Sequence, residues 1–161
     1  HEGLIESIRQ RLLNASRANG EPFDYVLSRY GIERCLYRLG ISKLADQFVL
    51  KGASLFYVWN SRLHRPTRDL DLLGVGPNDP DSLRSVVEQI IAVPCPEDGL
   101  TFDKKSLVVA LIREDNEYGG VRAKFRAMLG NVRIPIQIDV GFGDAITPGP
   151  EIRNYPTILH D

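Results

Sequence analysis

Apolar residues recur at helical spacing from Leu4 to about Leu39, with Leu4, Ile5, Ile8, Leu12 and Leu13 in one run and Val26, Leu27, Tyr30, Ile32, Leu36 and Leu39 in a second. Asn19-Gly20-Glu21-Pro22 breaks the periodicity with the residues that punctuate helices, so the pattern predicts two helices joined by a tight connection. Gly40, followed by Ile41, is expected to end the second. Phe48-Val49-Leu50 is short and wholly apolar, as in a buried strand or a helix tail, whereas Leu55-Phe56-Tyr57-Val58-Trp59 is apolar on every side and predicts a buried helix. In Asp69-Leu70-Asp71-Leu72-Leu73-Gly74 strict alternation predicts a strand with both acids on one face. Asp79 or Asp81 is placed to cap a helix running to about Ala92.

The last third reads as β-structure. Val121, Ala123, Phe125, Ala127 and Leu129 alternate with Arg122, Lys124, Arg126 and Met128, and Val132, Ile134, Ile136, Ile138 and Val140 alternate with Arg133, Pro135, Gln137 and Asp139. Gly130-Asn131 between them is a two-residue turn, which predicts a hairpin in which Leu129 pairs with Val132. Counting outward sets Lys124 opposite Gln137 and Arg122 opposite Asp139, on the face away from the core. Pro135 predicts an edge position or a bulge.

Together these elements predict an α+β fold, a mixed sheet with packed helices preceded by a helical segment. The chain has 161 residues, 43% of them hydrophobic, which suffices for one sizeable core and makes a single domain the expectation, with helices in 1–47 and a catalytic core in 48–147. A formal net charge of −1 excludes non-specific polyanion binding by the overall field, so any nucleic-acid contact has to come from a local patch, for which Arg62, His64 and Arg65 are the candidates against an ordinary exposed loop. Cys35 and Cys95 lack any ligand spacing and read as free thiols. Without a membrane-length apolar run or a signal-type apolar stretch at the first residues, a cytoplasmic location is expected.

Three acids then stand out as candidate chemistry. Asp69 and Asp71 share a strand face, and Asp139 lies on a second strand whose other face is aliphatic; carboxylates grouped in this way form the hard oxygen site that Mg²⁺ prefers when it also holds substrate phosphates. An alternating pair of acids by itself fits an ordinary solvated strand. Upstream, however, Gly52-Ala53-Ser54 opens the apolar helix, where a glycine lets phosphate oxygens approach backbone N–H groups and Ser54 adds a hydroxyl donor, against the plainer reading of Ser54 as an N-cap. Lys51 can reach a triphosphate or be merely solvated, Arg68 can form an ion pair or contact the site, and Arg122 and Lys124 can pair with Asp139 or hold phosphate charge.

The run Phe48-Val49-Leu50-Lys51-Gly52-Ala53-Ser54-Leu55-Phe56, followed by His64-Arg65-Pro66-Thr67-Arg68-Asp69-Leu70-Asp71-Leu72-Leu73-Gly74, resembles the signature of the AbiEii/MenT-type nucleotidyltransferase toxins. Ile8 to Asn14, Arg29 to Arg34 and Gln137 to Asp144 are similar to the family's pattern as well, so the likeness covers most of the chain. The resemblance implies a minimal polymerase β-like fold, with Asp69, Asp71 and Asp139 as catalytic and metal-binding carboxylates and Lys51, Gly52, Ser54 and Arg68 on the nucleotide. It further implies Mg²⁺ or Mn²⁺, a nucleoside triphosphate (NTP) substrate, an RNA acceptor such as tRNA, a cognate antitoxin and a role in phage defence. Family members continue into a helical half that supplies a lysine, and in some a further acid, to the nucleotide; that half is expected to be absent from these residues.

Other uses of the same site are a polymerase β-like or kinase-like transfer to a small molecule or a protein, and NTP binding without catalysis.

Overall fold

A computed structural model describes residues 2–44, 48–50, 69–74, 79–114, 117–142 and 158–159. Its described elements are helices α1 (Glu2–Asn19), α2 (Phe23–Ile41) and α3 (Pro80–Ile91), a short 3₁₀ turn Pro96–Asp98, and strands β1 (Phe48–Leu50), β2 (Leu70–Gly74), β3 (Leu100–Glu114), β4 (Glu117–Leu129) and β5 (Val132–Phe142). The strands form one mixed sheet in the order β1-β2-β5-β4-β3, in which β2 and β5 are parallel and the other neighbours antiparallel. The fold is α+β, as the alternation of helical and strand periodicities predicts.

The two N-terminal helices end where the sequence loses its apolar spacing. At the turn, the Ser16 hydroxyl donates to the Glu21 carbonyl (2.5 Å), the Glu21 N–H donates to the Ser16 carbonyl (3.0 Å), and Arg29 forms an ion pair with Glu21. The second helix runs past Gly40 and stops at Ser42, whose N–H (3.1 Å) and hydroxyl (2.7 Å) both donate to the Leu39 carbonyl. A serine side chain thus closes α2 and the glycine does not. Asp79, one of the two expected caps, closes α3: its carboxylate accepts from the Ser82 N–H at 3.0 Å and from the Ser82 hydroxyl at 2.7 Å, and Pro80 occupies the first helical position, where no N–H is needed.

The hairpin has the predicted register. Leu129 pairs with Val132, Lys124 with Gln137 and Arg122 with Asp139, across a turn in which Gly130 takes a left-handed φ of 60°. Val121, Ala123, Phe125, Ala127 and Leu129 face inward with Ile134, Ile136, Ile138 and Val140, all at most 3% exposed. Pro135 sits on a strand that is central to the sheet, yet locally it behaves as an edge. The Arg126 N–H donates to the Ser106 hydroxyl of β3 (2.9 Å), so the Arg126 and Pro135 pair exchanges no ladder bond, and the paired part of β2 begins only opposite Ile138.

The helices cover the apolar face. Ile8 and Leu12 of α1, Val26, Tyr30 and Leu39 of α2, and Leu83, Val87 and Ile90 of α3 join the inward strand residues in one core cluster. Gly31 brings α2 onto β5: a Cβ there would lie 3.1 Å from Ile134 Cγ2 and 3.2 Å from Ile136 Cδ1. α2 is buried nearly all round, Arg29, Glu33 and Arg38 included.

β3 is the longest described strand, and the alternation argument did not single it out. Asp103-Lys104-Lys105-Ser106 interrupts its apolar pattern, and the structure shows why: a register shift falls between Asp103 and Val108, where the Ser106 hydroxyl donates to the Asp103 carbonyl (2.6 Å) and accepts from Arg126 N–H in place of a ladder bond.

Candidate active site

The acids are fixed by the apolar residues between and beside them. Leu70 and Leu72 flank Asp71 and are 1% and 2% exposed; Ile138 and Val140 flank Asp139 and are 2% and 1% exposed. A slip of one residue in either strand would bury a carboxylate and expose a leucine or isoleucine, so burial on one face enforces the position of charge on the other. The parallel register of β2 and β5 sets Asp71 directly opposite Asp139. Neighbouring strands lie about 4.8 Å apart, which brings two like-charged groups side by side. Asp69, exposed, sits in the bend just ahead of β2, near enough to Arg122 for its charge to act on the guanidinium.

Across the sheet this row continues into β4. Arg122 is opposite Asp139 on its other side and clasps it with both arms of the guanidinium, Nε to Oδ1 at 2.8 Å and Nη2 to Oδ2 at 3.0 Å. The amide nitrogen of Gln137 lies 3.4 and 3.3 Å from the same two oxygens. The hydrogen bonds that Arg122 donates to Asp139 raise its pKa first, burial works against them, and the charges of Asp139, Asp69 and Asp71 add to the rise. Arg122 thus feels the charge of three acids, Asp139 of β5, Asp71 of β2 and Asp69 just ahead of β2. The Asp139 side chain is 18% exposed and that of Arg122 40%, so the arginine is the more open of the pair.

Lys124 is exposed one step further along β4, opposite Gln137, and Arg126 is ion-paired to Asp103 at 2.6 Å. Lys51, Gly52, Ser54, Arg62, His64, Arg65, Arg68 and Asp144, together with the predicted helix over Leu55 to Trp59, lie outside the described residues. An apolar crevice lined by Cys35, Leu39, Leu70, Val87 and Ile138 opens on the core side of the sheet, away from the acids, and offers nothing to a triphosphate.

Three carboxylates form a hard donor set of the type Mg²⁺ takes. Among the described residues, no three His, Cys, Asp or Glu side chains converge on a common metal position as they stand, and both Asp139 oxygens are directed at Arg122. The donor chemistry fits a divalent ion, and Asp139 is occupied by a cation, the Arg122 guanidinium.

A second charged cluster, which sequence reasoning missed, is structural. Asp98, 1% exposed at the end of the 3₁₀ turn, accepts from Arg34 Nε (3.2 Å), Arg38 Nη2 (3.1 Å) and the Leu100 N–H (2.9 Å), while its carbonyl accepts from the buried Tyr30 hydroxyl (2.9 Å). Arg34 also donates to the Cys95 sulfur at 3.0 Å; burial opposes its charge, but Cys95 and Asp98 outweigh burial and raise its pKa. The spacing of Arg34 and Arg38, one turn apart on α2, was the legible signal. Both cysteines are free, and burial pushes the Cys35 thiol up to about 12, well away from nucleophilic use.

In comparison with protein families, the model described as nucleotidyl transferase AbiEii toxin, type IV toxin–antitoxin system, aligns with residues 34–161. The chain belongs to the AbiEii nucleotidyltransferase toxin family. No curated protein sequence matches it. The aligned stretch contains Asp69, Asp71 and Asp139, as well as Lys51, Gly52, Ser54 and Arg68, and leaves α1 and the first half of α2 outside. Membership makes the protein an enzyme of the nucleotidyltransferase class, with an NTP as substrate and an antitoxin as partner. Among the described residues no helix is long and apolar enough to cross a membrane.

Proposed function

We propose that this AbiEii protein is a Mg²⁺-dependent nucleotidyltransferase that moves a nucleotide from an NTP to an RNA acceptor, with tRNA 3′ ends as the expected target. In this reading it is a single domain working in the cytoplasm as the toxin of a phage-defence system. The observation that carries the reading is the parallel register that sets Asp71 beside Asp139, with Asp69 in the bend two residues ahead of Asp71.

Asp69, Asp71 and Asp139 would hold Mg²⁺ or Mn²⁺. When bound, such an ion neutralises triphosphate charge and favours the ionised form of the attacking hydroxyl. The chain's own contribution is position and electrostatics. The aliphatic anchors on both sides of each acid keep the carboxylates on the solvent side of the sheet, where a triphosphate and a polynucleotide end can both reach them. Lys51, Gly52, Ser54 and Arg68 are assigned to the triphosphate, through N–H groups, a hydroxyl and cationic side chains. In the reaction the acceptor oxygen forms a bond to the α-phosphorus, the bond to the bridging oxygen of the β-phosphate breaks, pyrophosphate leaves, and the hydroxyl proton passes to solvent.

The test uses NTPs labelled at the α- or γ-position, with total RNA and Mg²⁺. Label from the α-position on RNA, with release of pyrophosphate, is the expected result. Label from the γ-position on the acceptor, with release of nucleoside diphosphate, would mean kinase-type transfer at the same site and would refute nucleotide transfer.

A further inference from the structure

Arg122 has a charge environment that a plain structural ion pair does not need. It stands in the row Asp71, Asp139, Arg122 that crosses three adjacent strands, fills both oxygens of Asp139, and is drawn by the charges of Asp69 and Asp71 as well. Like charges side by side on neighbouring strands are destabilising, and a positive group at this point offsets the repulsion between Asp71 and Asp139 in the absence of metal. A divalent ion bound by the same carboxylates does the same work more strongly, and the two cations then compete for Asp139.

Resting on the reading of these acids as a metal site, we propose that Arg122 is a positioning residue with two places: it holds Asp139 while the carboxylates carry no metal, and it is displaced onto the phosphates of the nucleotide when a divalent ion binds. The guanidinium suits both partners, because its planar fork matches carboxylate and phosphate oxygens alike. At 40% exposure its side chain can leave the carboxylate without unpacking the core, since the residues on either side, Val121 and Ala123, carry the burial. The arrangement makes metal and nucleotide binding mutually dependent. Without metal the guanidinium is committed to Asp139, and the acids repel a triphosphate. With metal, both the ion and the freed cation attract it.

The test compares wild type with Arg122→Met and Arg122→Lys. Two affinities are measured on folded protein: that for Mn²⁺ alone, by its electron paramagnetic resonance signal, and that for the α,β-methylene analogues of the four NTPs at saturating Mn²⁺. Removing the competitor is expected to tighten Mn²⁺ binding on the order of tenfold and weaken the best analogue on the order of tenfold, opposite changes that loss of a structural ion pair would not produce. Arg122→Lys, which keeps the charge and loses the fork, is expected to fall between. Unchanged or weaker Mn²⁺ binding in Arg122→Met overturns the proposal, as does tighter Mn²⁺ binding with analogue affinity unchanged. If wild type itself binds neither Mn²⁺ nor analogue, the metal-site reading fails, and the two-place arginine with it; failure confined to the variants leaves that reading standing.

Discussion

Asp71 and Asp139 are like-charged neighbours, so an asparagine at Asp71 removes a repulsion as well as one of the proposed metal ligands. Asp71→Asn is expected to lower nucleotide transfer by two orders of magnitude or more, about 2.7 kcal/mol of lost transition-state stabilisation, while the melting temperature in metal-free buffer stays within a degree or two of wild type or rises. Loss of fold in the variant would make the acid structural. Asp98 is predicted to behave in the opposite way. It sits beneath two guanidinium groups, and Asp98→Ala leaves Arg38, 3% exposed, without its counter-charge; a destabilisation of about 3–5 kcal/mol by denaturant unfolding is expected. A change below about 1 kcal/mol would mean that the cluster is held by packing alone. The acids of the site were legible because a strict period of two places them; Asp98 was not, because nothing in the sequence around Pro96-Glu97-Asp98 signals that a helix some 60 residues away supplies two arginines.

At the scale of elements, α2 is the piece on which the rest is assembled, and its glycines separate two effects. Gly31 meets Ile134 and Ile136 of β5, so Gly31→Val should push helix from sheet and cost about 1–3 kcal/mol, whereas Gly40, with nothing near its missing Cβ, should tolerate Gly40→Ala with a gain of up to about 1 kcal/mol. Equal effects at both positions would contradict the close packing of α2 on β5. Glu33 on the same helix is 7% exposed and accepts the Ile158 N–H at 2.7 Å. Burial raises its pKa, against the pull of that N–H and of Arg34, and the charge of Asp98 adds to the rise. An acid whose pKa is higher folded than unfolded binds protons preferentially in the folded state; its charge costs stability above the folded pKa, and that cost is relieved as pH falls toward the ordinary glutamate value. Glu33→Gln should therefore melt higher than wild type above neutral pH, with the difference shrinking on acidification; a difference that grows on acidification would give the shift the wrong sign. The helices and the hairpin were legible because their apolar periods are unbroken. β3 was not, because Asp103 to Ser106 breaks the alternation and the repair comes from a hydroxyl on the strand itself.

At the scale of the whole molecule, the described residues show a single sheet that divides the labour: one face carries α1, α2, α3 and the core, and the other carries the row Asp71, Asp139 and Arg122. The division follows from strand alternation, so the same apolar residues that stabilise the fold determine which carboxylates meet. The order β1-β2-β5-β4-β3 completes it, because β2 runs parallel to β5 and pairs with its end, residues 138–142, which brings Asp71 near the start of β2 level with Asp139. Pairing of Arg122 with Asp139 could be counted out from the Gly130-Asn131 turn; pairing of Asp71 with Asp139 could not, since no local signal records which strand lies on the far side of β5. The most direct test of the three-carboxylate site is transfer of label from α-labelled NTPs to tRNA with Mg²⁺, run side by side for wild type, Asp69→Ala, Asp71→Asn and Asp139→Asn. Label on tRNA from wild type that falls to background in all three variants, each still folded, is the predicted result. Wild-type activity that survives loss of any one of these carboxylates would contradict it.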